Sequence, residues 1–271
     1  MQMINDAQNI TRIPLGRIES RLFFEIAHLS AFSIEDARRI LGPKQGRFLP
    51  QVLDRMREKG WIERVKRGRF TAIPLSSGDT RSPQLHEFVI AMELVKPAAI
   101  AFFSALNHHG LTEQLPRTVF IATDHPVRRP VKQALGFSFR VVSVRKEKFF
   151  GIQKAWINER PFLITDREKT VIDAFDLPKN TGGIGIIASA LRSHWKELDE
   201  SRLRDYAARI GNSAAAKRLG FLMESLDLGD AEALRASAKQ AAGYPRLDPT
   251  LPARGKYNRR WGLLINVTVG E

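Results

Sequence analysis

Glycine and proline punctuation between residues 17 and 75 restricts the fold more than any other feature of this chain. Ile18, Leu22, Ile26 and Leu29 are spaced for one apolar helix face over residues 17–29. Ser33 then offers an N-cap to a short helix over 34–41, which Gly42-Pro43 must end. A third helix fits 47–59 and stops at Gly60. Pro50 is tolerable only in a first helical turn, where its missing N–H matters least, so this helix is expected to start near Arg47. Residues 61–66 and 69–75 read as two strands joined at Arg67-Gly68.

Short helix, tight turn, longer helix and basic hairpin together describe a winged helix-turn-helix. In such a unit the longer helix enters the major groove and the wing follows the phosphate backbone. The third helix divides accordingly at 100° per residue. Leu49, Val52, Leu53 and Met56 share one face, and Arg47, Gln51, Asp54 and Glu58 the other. Asp54 and Glu58 would repel phosphate, so the N-terminal half must face DNA. There Arg47 can fork to guanine and Gln51 can pair with adenine. Lys44 and Gln45 fall in the turn beside a phosphate, and the hairpin adds Arg64, Lys66, Arg67 and Arg69. From Lys44 to Arg69 there are nine basic and three acidic residues, and that surplus of six equals the surplus of residues 1–75 as a whole.

The net charge of +14 suits a polyanion or an acidic membrane surface and cannot choose between them. No apolar run approaches the ~20 residues of a membrane helix. The opening MQMINDAQNI lacks the basic-then-apolar pattern of a secretory signal, so a cytoplasmic protein is expected. The absence of cysteine excludes disulfides, thiolate metal sites and cysteine nucleophiles. A polar run with Gly78 and Pro83 suggests a linker over 76–83, between a DNA-binding domain at 1–75 and a larger domain at 84–271. In the larger part, helices fit 84–94, 98–109, 166–176, 184–195, 201–210, 213–225 and 231–241. Strands fit 118–123, 137–144, 162–165 and 261–267. The expected class is mixed, helix-rich α/β or α+β.

Signatures of catalysis are largely missing. There is no phosphate-binding G-x-x-x-x-G-K, no H-E-x-x-H and no G-x-S-x-G, and Gly182-Gly183-Ile184-Gly185 reads as a turn into a helix. Adjacent His108 and His109 point about 100° apart and do not easily share a metal. Thr165-Asp166-Arg167-Glu168 fits a capping box, and Lys169 and Asp173 an ordinary i,i+4 ion pair. Asp173 and Asp176 share a helix face without neighbours to complete a site. No enzyme activity, metal or cofactor is expected. Near the end, Arg254, Lys256, Arg259 and Arg260 precede an alternating apolar stretch. The regular alternation favours an edge strand guarded by charge; a second nucleic-acid contact is the other reading.

Several segments resemble the AbiEi family of antitoxins. They are Ser104-Ala105-Leu106-Asn107-His108-His109-Gly110-Leu111-Thr112-Glu113-Gln114-Leu115-Pro116 with the strand at 119–122, Glu168-Lys169-Thr170 with Asp173, Gly182-Gly183, and Lys217-Arg218-Leu219-Gly220. Gly60-Trp61-Ile62 and Arg67-Gly68-Arg69-Phe70 are similar to that family's wing, with Phe70 where tyrosine is expected. The resemblance spans about 17–226. It implies the antitoxin of a type IV toxin–antitoxin pair: a winged helix that represses its own operon, and a C-terminal domain opposing a nucleotidyltransferase-like toxin. Composition and spacing leave two alternatives open, a regulator with a ligand-sensing or assembly domain and a DNA-acting enzyme.

Overall fold

The computed structural model describes residues 13–74, 85–238 and 243–269. The chain forms two compact units, one of residues 1–94 with 133–137 and one of 95–132 with 138–271. The linker expected at 76–83 lies outside the described residues. The helix expected over 84–94 is observed as α4 (Glu87–Leu94), and it clusters with the first unit rather than the larger one.

The first unit is built from α1 (Arg17–Ile26), β1 (Phe32–Ser33), α2 (Ile34–Gly46), α3 (Leu49–Glu58), β2 (Ile62–Lys66) and β3 (Arg69–Ala72). Ser33 caps α2 as expected. Its Oγ accepts from the Asp36 N–H at 3.0 Å, and its own N–H donates to Asp36 Oδ2 at 2.9 Å. Gly42, at φ 73° and ψ 175°, breaks the helix before Pro43, and a single turn continues to Gly46. The core joins Leu22 and Ile26 of α1 to Leu49, Val52, Leu53 and Met56 of α3 and to Phe32 and Phe70 in the sheet. Phe32 lies opposite Phe70 because β1 pairs with β3, giving the strand order β1-β3-β2. Two residues were too few to signal β1 in the sequence.

The second unit is a mixed α/β structure. Its sheet runs β7-β5-β4-β9-β8, with β4 Ala99–Ile100, β5 Val119–Thr123, β7 Phe137–Ser143, β8 Ile152–Ile157 and β9 Arg160–Thr165. β6 (Val131–Ala134), next to β7 in the strand order, falls partly within 133–137, as does the first residue of β7, and those residues cluster with the first unit. β4 is parallel to β9 and antiparallel to β5, and β5 is parallel to β7. The expected helix over 98–109 is therefore a buried two-residue strand followed by α5 (Phe102–His108). A strand apolar on both faces has no alternation to set it apart from a helix.

Beside the sheet, α6 (Arg167–Asp176) is buried over Glu168–Asp176. It packs with α7 (Ile184–His194), α8 (Glu200–Arg209) and α9 (Ser213–Ser225) around Phe175, Leu191, Leu219 and Trp261. Residues 231–234 form a 3-10 turn leading into α10 (Arg235–Ala238). Gly220 is a close-approach glycine, since a Cβ there would lie 2.2 Å from Trp261 ring carbons. The stretch expected as an edge strand becomes β11 (Leu263–Ile265), paired with β10 (Lys256–Asn258) in a separate two-stranded hairpin.

Candidate nucleic-acid interface

The N-terminal end of α3 sits differently from its sequence reading. The helix starts at Leu49, Phe48 takes the N-cap position and Pro50 lies in the first turn. Arg47 therefore belongs to the turn. Its Nε donates to the Lys44 carbonyl at 3.1 Å, and its guanidinium lies 5.5 Å from the Phe48 ring centre. Both contacts hold the guanidinium close to its own backbone, at a helix end whose free N–H groups favour anions. Lys44, Arg47 and Gln51 are exposed. Gln45 is not. Its Oε1 is buried without a hydrogen-bond partner, so the side chain turns inward.

Phe48 is the residue the sequence reading missed, a phenylalanine 52% exposed between Arg47 and the buried face of α3. The one available signal was an aromatic just ahead of the apolar spacing, at the point where the helix begins.

The wing forms as expected across Arg67 and Gly68, with Gly68 at φ 74°. Its tip is tied to α2, because the Ile34 N–H donates to the Gly68 carbonyl at 3.3 Å. Arg64 and Arg67 are exposed, and Lys66 is half-buried. Arg69 is committed elsewhere. Its guanidinium binds the Glu93 carboxylate of α4 and lies 3.9 Å from Asp36 Oδ2. It is a strut inside the first unit rather than a wing contact.

Several other cations are neutralised. Arg55 and Lys59 meet the buried Glu19 carboxylate at 3.1 and 2.6 Å, and Arg57 lies 3.8 Å from Asp54. Among the exposed cations, Lys44, Arg47, Arg64 and Arg67 lie on the turn before α3 and on the wing.

Neither a protein-family model nor a curated protein matches this sequence. Among solved structures, the chain is similar to the crystal structure of the RV2827C protein from Mycobacterium tuberculosis. The TM-score is 0.64 at 15% identity, over 93% of this chain and 92% of that one. The fold is shared. At that identity nothing about activity follows from the likeness.

Several polar residues of the second unit are buried in its packing. Lys169 and Asp173 form a buried ion pair, 3% and 6% exposed, rather than the surface pair their spacing suggested. Burial pushes the Asp173 carboxyl up to about 6 against the opposing pull of Lys169. Asp176 binds Lys148 Nζ at 2.7 Å and accepts from Asn212 at 2.6 Å.

Glu168 is not the far end of a capping box. Asp166 caps α6 by accepting from the Lys169 N–H at 2.7 Å, while Glu168 accepts from the Asp199 N–H at 3.0 Å and from Arg202 at 3.3 Å. His109 Nε2 bonds the Thr165 carbonyl at 2.7 Å, and burial holds its pKa below the usual value. His108 packs edge-on against Phe162. Among the described residues, no three acidic or histidine side chains gather as a metal site.

In the C-terminal hairpin, Arg254, Lys256 and Arg259 are exposed, while Arg260 is paired with Glu224 and Glu232 at 2.9 Å each. No helix among the described residues is long and apolar enough to cross a membrane.

Proposed function

We propose that this protein is a cytoplasmic, non-enzymatic DNA-binding autorepressor and the antitoxin of a type IV toxin–antitoxin pair. Its partners are double-stranded operator DNA and a nucleotidyltransferase-like toxin. The observation that carries the DNA-binding half is the selective exposure of charge. Lys44, Arg47, Arg64 and Arg67 stay in solvent around the start of α3 and on the wing, whereas Arg55, Arg57, Lys59 and Arg69 are tied to carboxylates. Cations left exposed in this way are free to displace counterions from a phosphate backbone. Arg47 and Gln51 read base edges, and the wing holds the backbone. The antitoxin half rests on the AbiEi-like segments, which supply the turn at Gly182-Gly183 and the buried α6 and α9 motifs of the second unit.

The test is operator binding as a function of salt. Arg64→Gln/Arg67→Gln should weaken binding to every duplex sequence and flatten the log–log salt dependence by about two. Arg47→Ala should cost roughly 1–3 kcal/mol on the operator and much less on random duplex. An unchanged slope in the wing variant removes the wing from the interface. Equal losses on both DNAs reduce Arg47 to a phosphate contact.

A further inference from the structure

The outward face of α1 is used neither by the core nor by the charged surface described above. Leu22 and Ile26 on its inward face are fully buried, whereas Phe24 is 81% exposed. A ring so placed gains little for the fold, because most of its apolar area stays wet. Beside it runs a groove of about 650 Å³ lined by Leu15, Phe23, Phe24, Ala27 and Trp61. The groove is held open from within the first unit. The Phe23 and Trp61 rings meet edge-to-face with centres 4.9 Å apart, and Trp61 Nε1 donates to the Ile13 carbonyl at 2.8 Å, which fixes the chain entering Pro14 and Leu15.

The helical repeat sorts the neighbours of Phe24 into two flanks. Ser20 and Ala27, one turn before and after it, lie towards Phe23 and the groove. Both are small and exposed, so the ring projects above them. Arg21 and Glu25 lie on the opposite flank and are exposed, and among the described residues neither forms an ion pair. Arg21 Nη2 donates to the Ile40 carbonyl at 3.3 Å, which leaves other guanidinium N–H groups to spend.

We propose that this face is a self-association surface, in which α1 of two copies pack antiparallel about a two-fold axis near Phe24. Such an interface sets the same patch on itself, so the patch must be complementary to itself. This one carries a projecting ring and an apolar recess side by side, and both members of an opposite-charge pair. Antiparallel packing lays like flank on like flank. Phe24 of each copy then enters the groove of the other, and Arg21 of each faces Glu25 of the other. A nucleic acid does not fit the face, because its groove is apolar. α1 is ten residues, about 15 Å long, and the patch falls well short of the roughly 20–30 residues per side of a standard interface, so the expected dissociation constant is of order 10–100 μM. The proposal is independent of the DNA-binding reading, since it uses α1 and not the start of α3 or the wing.

The experiment is analytical ultracentrifugation of the full chain without DNA, from about 1 to 300 μM. The wild-type mass should rise from monomer towards dimer across that range. Phe24→Asp should raise the dissociation constant at least tenfold with an unchanged melting temperature, because the side chain it replaces is already in solvent. Arg21→Glu and Glu25→Arg should each weaken association, since every cross-copy pair becomes like-charged. An equimolar mixture of those two variants should associate again, because each then meets its opposite across the axis. A pairing within one helix cannot give that recovery by mixing.

A chain that stays monomeric to 300 μM overturns the proposal, and so does association that Phe24→Asp leaves unchanged. Mixed charge variants that associate no better than either alone remove the antiparallel arrangement, and the proposal with it. Association that appears only once residues 1–12 are deleted also overturns it, because the groove is then filled from within the chain.

Discussion

Glu19 is a carboxylate 3% exposed at the seam between α1 and α3. Three donors satisfy it: the Gly16 N–H at 2.7 Å, Lys59 Nζ at 2.6 Å and Arg55 Nε at 3.1 Å. One acid therefore closes the start of α1 and clamps α3, whose far end carries Gln51 and follows directly on the turn that holds Arg47. Burial by itself would raise the carboxyl's pKa, but the hydrogen bonds from Lys59, Gly16 and Arg55 outweigh it and hold the group below its ordinary 4.5. The sign of the consequence follows from linkage. A depressed native pKa gives stability that is complete above about pH 4.5 and fades as pH falls through the native value. Arg55 is half exposed and rehydrates when its partner goes, so Glu19→Gln should cost about 2 kcal/mol at pH 7, below the ~3–5 of a fully buried pair. Denaturant melts of the two proteins should converge as pH drops below about 4.5. A gap that stays constant down to pH 3 would mean that Glu19 contributes by shape and not by charge.

At the scale of elements, the turn between α2 and α3 depends on one backbone conformation. Gly42 at φ 73° and ψ 175° occupies a region that side chains rarely enter, and no atom within 4 Å would obstruct a Cβ. The cost of Gly42→Ala is thus conformational, on the order of 1–3 kcal/mol, and should appear both as a lowered melting temperature and as weaker operator binding. Full stability with normal affinity would show that the turn tolerates a second conformation. This element was legible in the sequence because its signals are local: a cap at Ser33, a Gly-Pro stop and apolar residues at helical spacing. The strands β4, β6 and β8 were not legible. The β8–β9 hairpin turns on Asn158 and Glu159 at φ 47° and 63°, and a glutamate at positive φ gives no turn signal. Long-range partners were equally hidden. Arg69 looks like any wing arginine until Glu93, 24 residues on, takes it. Of the proposed DNA contacts, exposure supports Lys44, Arg47, Gln51, Arg64 and Arg67, whereas Gln45 and Arg69 drop out because their neighbours fold over them.

Over the whole molecule, the two compact units suggest that repression and protection can be uncoupled. Cutting the chain near residue 83 would be a poor way to do it. α4 and residues 133–137 cluster with the first unit, so a truncation there divides one folded body and leaves a piece of it on the other. Point variants of the full chain avoid the difficulty. Arg64 and Arg67 are exposed, and among the described residues neither forms an ion pair, so replacing them with glutamine should leave stability within about 0.5 kcal/mol. If the winged helix represses and the second unit opposes a toxin, that variant should derepress its own promoter while still protecting cells. The reciprocal change belongs in the second unit. Gly220→Leu drives a side chain into the Trp261 ring and should disorder the α9 packing. That variant should lose protection and keep operator binding wherever the first unit remains folded. The measurement is growth with the toxin expressed from an independent promoter, alongside a reporter fused to the operon's own promoter. A wing variant that loses protection and repression together would tie both to DNA binding, and the protein would then be a regulator whose second unit has no direct part in opposing a toxin.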